Sequence, residues 1–133
     1  MVQSSELFPK SMPVSKTILL IDDDHDILDI YCLALEKAGF RVVTEDNGLH
    51  GLMKAVAVQP DIILLDIMMP GMDGFKTLDA FCNCTDIRSK ILIFSNFGAG
   101  YQDVDTLIRI GALDCLVKSD YPPSALVAKM STL

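Results

Sequence analysis

Short apolar runs and helically spaced stretches alternate along this chain. Thr17–Ile21, Ile62–Leu65 and Ile91–Phe94 are continuous apolar runs, the pattern of strands buried on both faces of a parallel sheet. Arg41–Glu45 alternates weakly around Val42 and Val43 and predicts another strand, and Cys115–Val117 predicts a short last one. Between them, Asp26–Ala38 carries apolar residues at steps of three and four: Ile27, Ile30, Tyr31, Ala34, Leu35 and Ala38. That spacing predicts a helix with one core stripe, closed by Gly39. Gly48–Val58 predicts a second helix stopped by Pro60, and Phe75–Phe81 a third. Asp103–Ile110 predicts a fourth, ended by Gly111, and Ser124–Met130 a fifth, introduced by Pro122 and Pro123.

Five strands alternating with five helices imply an α/β fold with a parallel sheet and right-handed crossovers. The expected architecture is one doubly wound five-stranded sheet of order 2-1-3-4-5, flavodoxin-like, with helices on both faces. Residues 1–15 are polar, carry Pro9 and Pro13 and lack sustained periodicity. They read as a flexible N-terminal leader, and residues 16–133 as a single domain.

Composition narrows the function. Eleven basic and eighteen acidic residues give a net charge of −7, which argues against nucleic-acid binding through a basic face. No apolar run approaches the ~18 residues of a membrane span, and no secretory leader pattern stands at the N-terminus. Of four cysteines, only Cys82 and Cys84 are close in sequence, without a second pair or a His at zinc spacing. They read as reduced thiols of a cytoplasmic protein. His25 and His50 read as exposed histidines without metal partners.

A parallel sheet gathers the carboxyl ends of its strands at one edge, where ligands of such folds bind. The first strand ends in Asp22 and Asp23, the third in Asp66, the fourth in Ser95 and the fifth in Lys118. Two carboxylates ~4 Å apart at an effective dielectric near 20 repel by roughly 4 kcal/mol. Three carboxylates and one lysine sum to −2, so one divalent cation balances them. All-oxygen ligands suit Mg²⁺. A carboxylate, Mg²⁺, a lysine and a hydroxyl also make up a phosphoryl-transfer site, in which an Asp can be the nucleophile. Asp24 and Asp26 read instead as helix-start residues, and Met68, Met69 and Met72 as loop packing.

Ile21-Asp-Asp-Asp24, the run from Asp61 through Asp66 to Gly74, Ser95 and Lys118 together resemble the receiver domain of bacterial two-component response regulators. The likeness spans about Lys16–Met130. It implies Asp66 as phosphoacceptor, Lys118 as the phosphate-pairing lysine and Ser95 as the switch hydroxyl. It implies Mg²⁺ held by Asp23, Asp66 and the backbone carbonyl of Met68, with Asp22 acting through water. The implied donor is a phosphohistidine on a sensor histidine kinase or a histidine phosphotransfer protein. The implied output is switched partner binding, a phosphorylation-dependent dimer included. The domain would not be an enzyme beyond slow self-dephosphorylation.

Two other readings compete. A Mg²⁺-dependent phosphohydrolase with an Asp nucleophile commonly carries an acidic residue two positions on, where this chain has Met68. A degenerate receiver would lack Asp66, Lys118 or the acidic pair, and all are present. Three positions depart from the family habit: Cys115 in place of an aromatic, Asn96 in place of Ala or Gly, and Ser119 in place of Pro after the lysine. Without that Pro, a cis bond after Lys118 would cost about 2.5–4 kcal/mol, so a trans Lys118–Ser119 bond is expected. His25, Leu28 and Cys32 fall beside the expected stripe of the first helix, which makes them expected contacts for the donor.

Overall fold

The computed structural model describes residues 15–96 and 101–133, with backbone alone for residues 101–103. The expected leader thus lies outside the described residues, Ser15 apart. Five strands are present: β1 (Thr17–Ile21), β2 (Arg41–Glu45), β3 (Ile62–Leu65), β4 (Lys90–Ser95) and β5 (Asp114–Val117). Between and after them run α1 (His25–Lys37), α2 (Gly48–Val58), α3 (Gly74–Asn83), α4 (Tyr101–Ile110) and α5 (Pro123–Met130), with a 3-10 turn at Lys118–Asp120. The sheet order is β2-β1-β3-β4-β5, every pair parallel. This is the expected doubly wound topology.

Alternate residues of the central strands feed two cores. Leu19, Ile21, Ile63, Leu65, Ile91 and Ile93 face one side with Ala55, Leu78, Phe81 and Leu107 from α2, α3 and α4. Ile18, Leu20, Ile62, Leu64, Leu92 and Phe94 face the other with Leu28, Tyr31 and Leu35 of α1 and Leu126 and Met130 of α5. Both faces are covered, which is why β1, β3 and β4 read as unbroken apolar runs. On the edge, β2 is only half-buried, and its sequence alternates accordingly.

The helices start on side-chain caps. Asp24 accepts from the N–H groups of Asp26 and Ile27, Asn47 from His50, and Asp73 from Phe75 and Lys76. Each satisfies backbone donors that a first turn leaves unpaired. The helix-start reading of Asp24 and Asp26 holds.

The phase of α1 differs from the expected one. Its buried residues are Leu28, Tyr31 and Leu35. Leu28 is 5% exposed, whereas Ile30 is 53% exposed and Ala38 also faces solvent. Leu28 therefore belongs to the core and is not a donor contact. The physical cause is the docking of Tyr31: its hydroxyl donates to the Tyr121 carbonyl at 2.7 Å, and its ring stands edge-on to Phe94 at 5.1 Å. Those two contacts fix the rotation of a helix that is apolar on most sides.

Candidate functional site

The carboxyl edge of the sheet is set by its ladder. Backbone bonds run on past the strand ends, from Asp66 N–H to the Ile21 carbonyl at 3.0 Å and from Asp22 N–H to the Glu45 carbonyl at 3.1 Å. Asp22 and Asp66 are thereby held side by side. Carboxylate oxygens of Asp22, Asp23 and Asp66 lie within 4.8 Å of one another. Asp22 and Asp66 are buried and Asp23 is exposed, so the cluster has one open side.

Asp66 is held from several directions. Its Oδ1 accepts from the Ser95 hydroxyl at 2.6 Å and from the Met68 N–H at 2.8 Å. Its Oδ2 accepts from the Lys118 ammonium at 2.8 Å. Lys118 Nζ also lies against Asp22 Oδ2 in an ion pair. All the side chains expected at this edge, Asp22, Asp23, Asp66, Ser95 and Lys118, are brought together. Met68 joins through its backbone, while its side chain is 61% exposed. The loop-packing reading holds for Met69 and Met72, which pack on the core, and fails for Met68.

The electrostatics leave a deficit of positive charge. Burial pushes the Asp22 carboxyl above its ordinary value, and the negative charge of Asp66 adds to that. Bonds from Lys118 and the Asp24 N–H oppose the rise without cancelling it. Burial pulls the Lys118 ammonium down, but its bonds to Asp22 and Asp66 and their charges outweigh burial and raise it. Among the described residues, Asp22 Oδ2 has the Lys118 ammonium as its partner, and that ammonium is shared with Asp66. Three clustered carboxylates that share one ammonium, with oxygen donors alone, fit a hard divalent cation such as Mg²⁺.

Both histidines have carboxylate neighbours. His25 is exposed, as expected, but its Nε2 lies 3.2 Å from Asp46 Oδ2. His50 is exposed as well, but one of its ring nitrogens lies within 4.8 Å of carboxylate oxygens of Glu45 and Asp46. Those acids already have partners: Lys54 pairs with Glu45 at 3.6 Å, and Asn47 Nδ2 donates to Asp46 at 2.9 Å. A concavity bordered by Lys16, Asp61, Arg88 and Lys90 lies at the opposite edge of the sheet, away from the carboxylates. A shallow groove lined by Asp23, Asn47, Met69, Pro70, Met72 and Thr77 opens beside them.

Of the three departures, Cys115 is half-buried against the core, where burial and the neighbouring Asp114 push its thiol up to about 11. The Lys118–Ser119 bond is trans, as expected. Asn96 Oδ1 accepts from the Ser119 N–H at 3.0 Å, a contact that reading the strands one at a time does not reveal.

A five-stranded 2-1-3-4-5 sheet with this acidic cluster, hydroxyl and lysine at one edge defines a class of signalling domain. The chain belongs to the response regulator receiver domain family, which matches residues 18–131. It is 35% identical over 113 residues to the alkaline phosphatase synthesis transcriptional regulatory protein PhoP of Bacillus subtilis, covering 82% of this chain and 45% of the relative. It is 31% identical over 118 residues to the CpxR homolog of Haemophilus influenzae, covering 87% and 49%. The chain thus spans about half the length of these curated relatives. The chemotaxis response regulator CheY4 of Vibrio cholerae superposes with a TM-score of 0.80 at 26% identity, over 90% of this chain and 98% of that one. The BeF3-activated N-terminal receiver domain of RstA from Klebsiella pneumoniae gives 0.77 at 25%, over 87% and 96%. Among the described residues no helix is long and apolar enough to cross a membrane.

Proposed function

We propose that this domain is a phosphorylation-controlled switch whose phosphoacceptor is Asp66. The observation that carries the reading is the convergence on one buried carboxylate: a lysine ammonium on one oxygen, a hydroxyl and a backbone N–H on the other. The donor is a phosphohistidine of a sensor histidine kinase or a histidine phosphotransfer protein. An Asp66 oxygen bonds to phosphorus and the P–N bond breaks. The departing imidazole nitrogen keeps the electron pair and takes up a proton. Lys118 stays beside the new negative charge, and Ser95 turns its hydroxyl from the carboxylate to a phosphoryl oxygen. That exchange at the end of β4 is what the switch transmits to partners, a second copy of the chain included.

Asp22, Asp23, Asp66 and the Met68 backbone carbonyl would hold Mg²⁺. When bound, it neutralises carboxylate and phosphoryl charge during transfer. The domain acts as an acceptor and not as an enzyme, losing its phosphoryl group only slowly. Met68, two residues past Asp66, offers no acid–base group to speed hydrolysis. The free thiols of Cys32, Cys82, Cys84 and Cys115 suit a reducing cytoplasm.

Acetyl phosphate with Mg²⁺ tests the reading. Asp66 should acquire a hydroxylamine-sensitive adduct, and Asp66→Asn should abolish it. A full-yield adduct in that variant overturns the assignment. Steady turnover of phosphate esters would favour a phosphohydrolase instead.

A further inference from the structure

Ser95 and Lys118 approach Asp66 from neighbouring strands, and the residue after each is tied to its counterpart. The ladder between β4 and β5 ends where Ser95 stands opposite Val117. Beyond it the chain turns into the 3-10 turn Lys118–Asp120, which has no side-chain cap of its own at Val117. The first N–H groups of such a turn have no partner within it. Asn96 supplies one from across the sheet, accepting the Ser119 N–H on Oδ1 at 3.0 Å. A closed ring results. Asp66 is bonded to Ser95, Ser95 is followed by Asn96, Asn96 is bonded to Ser119, and Ser119 follows Lys118, which returns to Asp66.

We propose that Asn96 is a positioning residue for phosphoryl acceptance, a proposal that rests on Asp66 being the phosphoacceptor. Lys118 has a long, flexible stem. Its tip is held by carboxylates, and its base is held by the turn that Asn96 pins to β4. When the phosphoryl group arrives, the tip must leave part of its present pairing with Asp66, and the held base then helps keep the ammonium and the Ser95 hydroxyl at a common spacing. The acceptor atom of Asn96 does this work. The Ser119 side chain takes no part, because the bond uses its backbone N–H.

The test combines amide exchange with labelling by acetyl phosphate in Mg²⁺, on the whole chain. In the wild type the Ser119 amide should be protected. Asn96→Ala should expose it and slow Asp66 labelling roughly three- to tenfold, the change in an equilibrium that one hydrogen bond makes. Asn96→Asp keeps an acceptor in the same place. It should restore both protection and rate at high salt, where the added charge is screened. Ser119→Ala should behave as the wild type in both. An unprotected Ser119 amide in the wild type, a wild-type labelling rate in Asn96→Ala, or equal slowing in Asn96→Ala and Asn96→Asp would each overturn the proposal. Absence of any label in the wild type would instead strike the phosphoacceptor reading itself.

Discussion

The Lys118 ammonium reaches Asp66 at 2.8 Å across the full width of β4, which lies between the strands that carry the two residues. One cation thereby serves two buried carboxylates, Asp66 and Asp22, with Asp23 close by. The cluster keeps excess negative charge that a fold selected for stability alone would not retain. Sites of this kind exchange stability for function.

Removal of one carboxylate should therefore stabilise the cation-free protein. Asp23→Asn is the clean choice, because Asp23 is exposed and its loss opens no cavity. Its unfolding free energy without divalent cations should rise by about 0.5–2 kcal/mol. The added stability expected of Mg²⁺ in the wild type, about 2.7 kcal/mol at a hundred times the dissociation constant, should largely vanish. Denaturant titrations with and without Mg²⁺ measure both. A less stable variant would mean that Asp23 does not repel its neighbours, and an undiminished Mg²⁺ effect that it does not bind the ion.

The same excess charge sets a pH dependence. Burial and Asp66 raise the Asp22 carboxyl above 3.8 in the fold. The folded state therefore holds its proton more tightly than the unfolded chain. The favourable contribution of Asp22 is fully present below the unfolded value and is lost as pH rises through the folded one. With Mg²⁺ held as proposed, protons compete with it for this carboxylate. The Mg²⁺-induced shift in melting temperature should be largest near neutrality and shrink as pH falls through the raised Asp22 value. A shift that grows on acidification would contradict this linkage.

Much of this was legible in sequence. Continuous apolar runs marked the strands buried on both faces, and their strict alternation with helices fixed the topology. The strand ends then delivered Asp22, Asp23, Asp66, Ser95 and Lys118 to one edge. The phase of α1 was not legible, since Ile27, Leu28, Ile30, Tyr31, Leu33 and Leu35 are all apolar and no spacing chooses among them. The choice rests on Tyr31 meeting Tyr121 and Phe94, which come from distant parts of the chain. The Asn96–Ser119 and His25–Asp46 contacts were hidden for the same reason. Each joins segments that follow neighbouring strands, whose proximity exists only after the sheet has formed.

Leu28→Glu separates the two phases of α1. With Leu28 in the core beside Tyr31 and Leu35, the substitution buries an unpaired carboxylate. The cost should be several kcal/mol, beyond the 0.5–3 kcal/mol of most substitutions. Labelling by acetyl phosphate and by a phosphohistidine donor should fall together, with loss of the cooperative melt. A well-folded variant impaired only toward the protein donor would return Leu28 to the surface.

Gly74→Ala probes the loop that carries Asp66. An exchange of Gly for Ala in a helix ordinarily stabilises, by up to ~1 kcal/mol. Gly74 opens α3 on the Asp73 cap, and the chain there folds back onto Ile67, the residue after Asp66. A methyl group at position 74 would lie 2.5 Å from Ile67 Cβ and 2.6 Å from the Ile67 carbonyl oxygen. The obstacle is partly backbone, so rotation of a side chain cannot relieve it. Ile67 is also buried, so it can retreat only by moving the segment between Asp66 and Met68. That segment supplies the Met68 N–H bonded to Asp66 Oδ1. Gly74→Ala should therefore destabilise by about 1–3 kcal/mol, as overpacking does, and also slow Asp66 labelling. Gly48→Ala is the control: its methyl group would meet the Met72 sulfur and a Thr77 methyl at 3.1 Å. Side chains of that kind can yield, so its effect on both measures should be smaller. Equal stability and equal labelling in Gly74→Ala and the wild type would show that the loop is free to move, and that the close approach of Gly74 to Ile67 does not hold Asp66 in place.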